Sequence, residues 1–107
     1  MTEDIVIKLT ADFFKTLSHP ARIKILHSLE NGELCVCDII EKVGIEQSNL
    51  SQHLGTLKKQ GIIDSRKDGQ KVMYRIVYHS VMDVVGAAEK TLSEQISHSQ
   101  SILKFLK

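Results

Sequence analysis

The stretch that decides the fold runs from residue 47 to residue 78, QSNLSQHLGTLKKQGIIDSRKDGQKVMYRIVY. Its first half sets Leu50, Leu54 and Leu57 at i, i+4 and i+7, the spacing of a helix with one apolar face. Gly61 stands where a C-terminal cap belongs, so the spacing predicts a helix over about 47–60. The second half is β-branched and aromatic on both sides of Lys67-Asp68-Gly69-Gln70, and Asp68-Gly69 is a strong hairpin-turn signal. A short polar helix thus runs directly into a two-stranded ribbon.

Outward from this stretch the pattern is helical on both sides. A short helix is predicted from about Leu34 to Val43 and stops at Gly44. The Val43-Gly44-Ile45-Glu46 turn joins it to the 47–60 helix, a pairing that puts the second helix at the surface, where it can enter a major groove. Before it, SHPARIKILHSLENGE (18–33) offers Ser18 or His19 as a cap and Pro20 for the first turn. Ile23, Ile25, Leu26 and Leu29 supply its apolar face, and Gly32 is its stop. Two longer segments flank the whole: about 3–17, with Val6, Leu9, Phe13 and Leu17, and about 79–106, with Val81, Val85, Ala88, Leu92, Ile96 and Leu103. The fold class is mainly α with a β-hairpin wing, a winged helix-turn-helix formed as one domain over residues 1–107.

Composition bounds the function. The 107 residues are 42% hydrophobic and 25% charged, which suits one soluble domain with a modest core and excludes a disordered chain. No apolar run approaches the roughly 18 residues needed to span a bilayer, so no membrane partner is expected. The acidic start MTEDIVIKLT lacks the cationic region of an export signal. A cytoplasmic location is therefore expected, with Cys35 and Cys37 reduced. No nucleophile–base pairing and no phosphate-binding glycine loop is present. An enzyme, a small-molecule substrate and an organic cofactor are not expected.

Charge is distributed unevenly although the net value is only +1. Residues 1–46 carry five basic and eight acidic side chains, whereas 47–78 carry six basic (Lys58, Lys59, Arg66, Lys67, Lys71, Arg75) against Asp64 and Asp68. A positive segment in a near-neutral chain is either a solvated face or the footprint of a nucleic-acid surface. The 47–60 helix favours the second, because it exposes Gln47, Ser48, Asn49, Ser51, Gln52, Thr56 and Lys59, side chains that reach base edges or phosphates. Its first-turn N–H groups also suit phosphate. Arg66, Lys67, Gln70 and Lys71 make the hairpin tip a basic finger beside it. Gly55, in mid-helix, costs about 1 kcal/mol against Ala and suggests a close backbone approach. Double-stranded operator DNA is the expected partner.

The only two cysteines lie one residue apart in ELCVCDII (33–40). Free cysteine is a common buried hydrophobe, and it is also a soft metal ligand or redox group. Together, ELCVCDI, QSNLSQHLGTLKKQGII and the RKDGQKVMYRI hairpin resemble the ArsR/SmtB family of metal-sensing bacterial repressors, over about Ser18 to Tyr78. The resemblance implies a homodimer built from the terminal helices (about 3–17 and 79–106). Such a dimer binds its operator when metal-free and releases it when metal binds. It also implies that Cys35 and Cys37, at the family's sensing position, bind the inducer. His53 matches a family histidine expected to position the helix. Glu46 departs from the family's usual Ser at the cap, a weaker cap that adds negative charge near phosphate.

Two thiolates do not complete a zinc site, so thiophilic ions fit better: arsenite or antimonite, cadmium or lead, or copper(I). Where arsenic-responsive relatives often carry a third cysteine this chain has Ile40, which leaves Asp38, His19, His27, water or an external thiol as candidate third ligands. The family's second site, on the last helix, aligns with Tyr78, Ser80, Thr91 and Glu94 and is mostly lost; His79/Asp83 and Glu94/His98 read as solvent-facing pairs. The expected switch is mechanical. Residues 34–38 continue the helix without metal, and a chelate at both sulfurs pulls that turn out of helical geometry and misplaces Ser48 to Gln52. The alternative is a repressor that responds to redox state or reactive sulfur through the same pair.

Overall fold

The computed structural model describes residues 2–106, in the order α1 (Glu3–Leu17), α2 (Pro20–Leu29), β1 (Leu34–Cys35), α3 (Val36–Val43), α4 (Gln47–Lys59), β2 (Ile63–Asp68), β3 (Lys71–Ile76) and α5 (Ser80–Phe105). The helix-turn-helix is α3 and α4, and the wing is the β2–β3 hairpin. The expected helices at 3–17, 47–60 and 79–106 are found to within a residue or so.

The core collects the apolar face of each helix under the sheet. Ile25, Leu26 and Leu29 of α2, Ile39 of α3, Leu50, Leu54 and Leu57 of α4, and Ile63 and Ile76 of the wing are all buried together. Each such side chain contributes about 1.5–3 kcal/mol by leaving water. These contacts hold α4 with its polar side outward.

Turn chemistry sets the angles between elements. Gly44 closes α3 in the left-handed region (φ 74°), and its N–H donates to the Ile40 carbonyl. Gly61 (φ 77°) ends α4 in a Schellman motif: its N–H donates to the Lys58 carbonyl and the Ile62 N–H to the Leu57 carbonyl. Buried Ile62 then leads into β2. At the wing tip Asp68 pairs with Lys71, so Gly69 and Gln70 are the two turn residues, with positive φ at Gly69 alone.

Three expectations are corrected. α2 starts at Pro20 with His19 at the cap position, and neither candidate caps with its side chain: His19 makes no such bond, and Ser18 instead donates to the Lys15 carbonyl. α2 also ends at Leu29, before Gly32. The third concerns the cysteines. Residues 34–35 are not helical; they form a third, antiparallel strand on β3, in sheet order β1-β3-β2, pairing Leu34 with Tyr74 and Cys35 with Met73. Helix α3 begins only at Val36. Cys35 is its extended N-cap (φ −75°, ψ 163°), and its sulfur accepts from the Asp38 N–H at 3.4 Å. Backbone pairing to β3 outcompetes one extra helical turn.

Candidate nucleic-acid interface and thiol site

Helix α4 presents Gln47, Ser48, Asn49, Ser51, Gln52 and Lys59 to solvent, on the side away from its buried leucines. Glu46 occupies the N-cap and makes no side-chain cap bond, which leaves the first-turn N–H groups open to an anion. Thr56 is half-buried and its hydroxyl donates to the Gln52 carbonyl, so it is less available than expected. A Cβ at Gly55 would meet nothing within 4 Å, so nothing in this chain requires glycine there.

The wing is tied to the body at two points. Lys58 of α4 donates to the Ser65 hydroxyl at 2.7 Å. Arg66 reaches across the sheet to Glu33, with Nε donating at 3.1 Å and Nη2 making a second bond to the same carboxylate. The Arg66 guanidinium holds the Glu33 carboxyl below the usual range, and Arg75 adds to the effect. Lys67, Gln70 and Lys71 remain exposed at the tip. The sequence did not single out Glu33, and only its sign, opposite to that of the wing, could have suggested it.

His53 works as an anchor on the inner side of α4. Its Nδ1 accepts from Arg22 Nε at 3.1 Å, and Arg22 also donates to the Thr16 carbonyl at 3.0 Å, linking α4, α2 and the end of α1. Partial burial lowers the His53 pKa from its ordinary value, and the positive Arg22 and nearby His19 push it the same way. A neutral imidazole with an acceptor nitrogen is what this arrangement needs.

Cys35 is buried and Cys37 exposed, with Cα atoms 5.4 Å apart and the sulfurs joined. The extended cap at Cys35 allows this: it turns the first sulfur toward the second without disturbing α3. Residues 34–35 are already extended, so the helical starting state that the unwinding switch requires is absent and that switch is withdrawn. Asp38 offers the third donor, all three ligand atoms lying within 4.8 Å of one another. Among the described residues no other His, Cys, Asp or Glu completes this group. His19 lies instead with its ring 5.7 Å from that of His53, and His27 lies 3.4 Å from Glu89 of α5. His79, Asp83, Glu94 and His98 are exposed. Once the S–S bond is reduced, two thiolates and one carboxylate fit a soft ion of low coordination number and fall short of a closed tetrahedral zinc site.

The thiols share one space with four of the residues expected to contact DNA. A cleft of about 380 Å³ is lined by Cys35 and Cys37 on one side, Gln47 and Ser51 of α4 on another, and Gln70 and Lys71 of the wing on a third. Ser48, Asn49, Gln52 and Lys59 lie outside it.

This geometry defines a winged helix-turn-helix regulator, with a polar reading helix beside a basic wing. The sequence pattern of the bacterial regulatory protein arsR family matches residues 19–65. An HTH-type transcriptional regulator of Mycobacterium tuberculosis, Rv0081, is 38% identical over all of this chain and 95% of its own length. Its crystal structure superposes with a TM-score of 0.79 at 40% identity, covering 87% of this chain and 94% of that one. The cadmium resistance transcriptional regulatory protein CadC of Listeria innocua is 43% identical over 68% of this chain and 62% of its own. A homodimeric winged helix-turn-helix domain of Mycobacterium bovis matches with a TM-score of 0.77 at 25% identity, over 92% of this chain and 93% of that one. The chain belongs to the arsR family of bacterial transcriptional regulators, which are DNA-binding proteins and not enzymes. No helix among the described residues is long and apolar enough to cross a membrane.

Proposed function

We propose that the chain is a homodimeric repressor that grips double-stranded operator DNA with α4 and the wing and releases it when a thiophilic ligand engages Cys35 and Cys37. One observation carries the reading: the paired sulfurs open into the cleft walled by Gln47, Ser51, Gln70 and Lys71. A ligand there stands between the reading helix and the wing. Because β1 is a strand of the wing sheet, a shift at Cys35 is also transmitted to Met73 and the hairpin. The switch therefore acts on the spacing of helix and wing, with α3 intact.

The ligand class follows from the donors. Arsenite or antimonite, cadmium or lead, and copper(I) accept two sulfurs, and Asp38 can add an oxygen to the harder of them. The likeness to CadC supports cadmium within this group. Homodimerisation is supported by apolar side chains left in solvent on α1 (Ile7, Leu9, Phe14) and α5 (Leu92, Ile96, Leu103), and by the homodimeric neighbour. Gln47, Ser48, Asn49, Ser51 and Gln52 read or clamp the groove, and Lys59, Lys67, Gln70 and Lys71 meet the backbone.

The meeting of the two sulfurs favours a second reading, a dithiol–disulfide switch. In it hydrogen peroxide takes two electrons and two protons from the thiols, leaving one S–S bond and two waters. One experiment separates the two. A labelled duplex selected by the reduced protein from a randomised pool is titrated with arsenite, cadmium, copper(I) or peroxide, while sulfur-to-metal absorption is followed. Release with a matching charge-transfer band supports the metal reading. Release by peroxide alone supports the second, and release by any of these from the Cys35→Ser/Cys37→Ser double variant rejects both.

A further inference from the structure

Of the three cationic side chains near the wing tip, Arg66, Lys67 and Lys71, only Arg66 has an anionic partner among the described residues. That partner, Glu33, belongs to a different part of the chain, just before β1. The sheet register explains the reach. Cys35 pairs with Met73 and Met73 with Arg66, so Arg66 on one edge strand and Glu33, just before the other, close over the central one. Both carboxylate oxygens are engaged, by Nε and Nη2 of a single guanidinium. This is the fork geometry in which arginine binds phosphate, and a carboxylate filling the fork excludes a phosphate from it.

We propose that Glu33 is a built-in competitor of the DNA backbone: it occupies Arg66 and holds the affinity for duplex DNA below what the charges of the wing allow. The inference rests on the wing facing DNA and adds a residue that limits the contact. Its use to a regulator is direct. A repressor held less tightly needs a smaller ligand-driven shift to let go, and Glu33 sits two residues from the first thiol. The competition is independent of sequence, since phosphates carry no base identity.

The test measures binding of a fluorescein-labelled random-sequence duplex of about 30 base pairs across a range of salt concentrations, a probe that suffices because backbone contacts dominate such binding. Wild type, Glu33→Gln, Arg66→Gln and the double variant are compared. Glu33→Gln removes the negative charge and keeps the shape, and it lies on an exposed ion pair whose loss leaves the fold in place. It is expected to tighten binding by about tenfold and to steepen the log–log salt slope by about one unit for each wing that meets DNA. In the Arg66→Gln background the same change is expected to gain nothing, which separates release of Arg66 from a general loss of negative charge. The proposal is overturned if Glu33→Gln leaves affinity and slope unchanged, if it weakens binding, or if its gain survives in the Arg66→Gln background. A wild-type slope near zero overturns the DNA-facing wing itself, an outcome distinct from the others.

Discussion

Cys35 lies directly across the sheet from Met73, so the first of the two thiols sits on an edge strand of the wing sheet, and Cys37 on the helix that follows it. This joins the candidate sensor to the β2–β3 hairpin by backbone hydrogen bonds. It also fixes what the cysteines do for stability. Cys35 caps α3 from a buried position, while Cys37 is exposed and caps nothing.

Cysteine variants are therefore expected to differ in stability. Cys35→Ala loses a weak sulfur cap, worth less than the about 1 kcal/mol of an oxygen cap, together with the packing of the buried sulfur. Cys35→Ser keeps an acceptor of the preferred type, and Cys37→Ser is expected to stay within about 0.5 kcal/mol of wild type. Urea midpoints under reducing conditions give the order Cys37→Ser above Cys35→Ala. Both Ser variants are expected to keep DNA binding and lose the response to arsenite, cadmium or copper(I). Equal costs at the two positions contradict the capping role.

Most of the architecture was legible because it is specified locally. Leu50, Leu54 and Leu57 have the period of a helix, and Gly44, Gly61 and Gly69 stand where the chain needs a left-handed residue. What escaped was specified by distant residues. Leu34 and Cys35 continue the apolar spacing of α3, and a two-residue strand has no period of its own. Only its partners, Tyr74 for Leu34 and Met73 for Cys35, 40 and 38 positions later, make it a strand. The Glu33–Arg66 and Arg22–His53 contacts span 33 and 31 positions and escaped for the same reason. The cysteines were legible as a pair. Their shared cleft with Gln47 and Lys71 was not, because it depends on how the sheet folds back on α4.

Acid is expected to weaken the anchor at His53. Its folded-state pKa is lowered from 6.5, so below 6.5 the unfolded chain binds the proton more readily than the folded one. The contribution is complete above that value and is lost as pH falls through the lowered folded-state value. Protonation also removes the nitrogen that accepts from Arg22. His53→Gln keeps an acceptor that does not titrate. Urea unfolding at about pH 7.5 and about pH 5.5 is expected to show a smaller fall for this variant than for wild type. An equal fall places the acid sensitivity elsewhere.

Gly55→Ala separates fold from function in α4. With open space around the new methyl group and helical backbone, the substitution is expected to stabilise the protein by about 0.5–1 kcal/mol. The glycine lies on the exposed side of α4, away from the buried leucines, where a bare backbone fits clearance for a duplex. Affinity for DNA is accordingly expected to fall while the urea midpoint rises. A variant that is more stable and binds DNA equally well removes the close approach at Gly55.

The last prediction concerns assembly. Helix α5 runs for 26 residues, yet its buried side chains are Val81 and Val85, both in the first two turns. Beyond them Leu92 (56% exposed), Ile96 (59%) and Leu103 (57%) lie in water at helical spacing, and α1, at the other end of the chain, exposes Ile7 (61%). Large apolar side chains in such a series mark a surface that another protein covers, and a second copy satisfies it by symmetry. Sedimentation of the 12.0 kDa chain is expected to show a dimer. Leu92→Glu with Ile96→Glu sets charges on that face, where pairing the helices would bury them unpartnered. The double variant is expected to sediment as a folded monomer with an unchanged helical spectrum. Operator affinity is expected to fall by several orders of magnitude, because two half-sites are then no longer held by one particle. A monomeric wild type, or a charged variant that still dimerises, removes α5 from the interface.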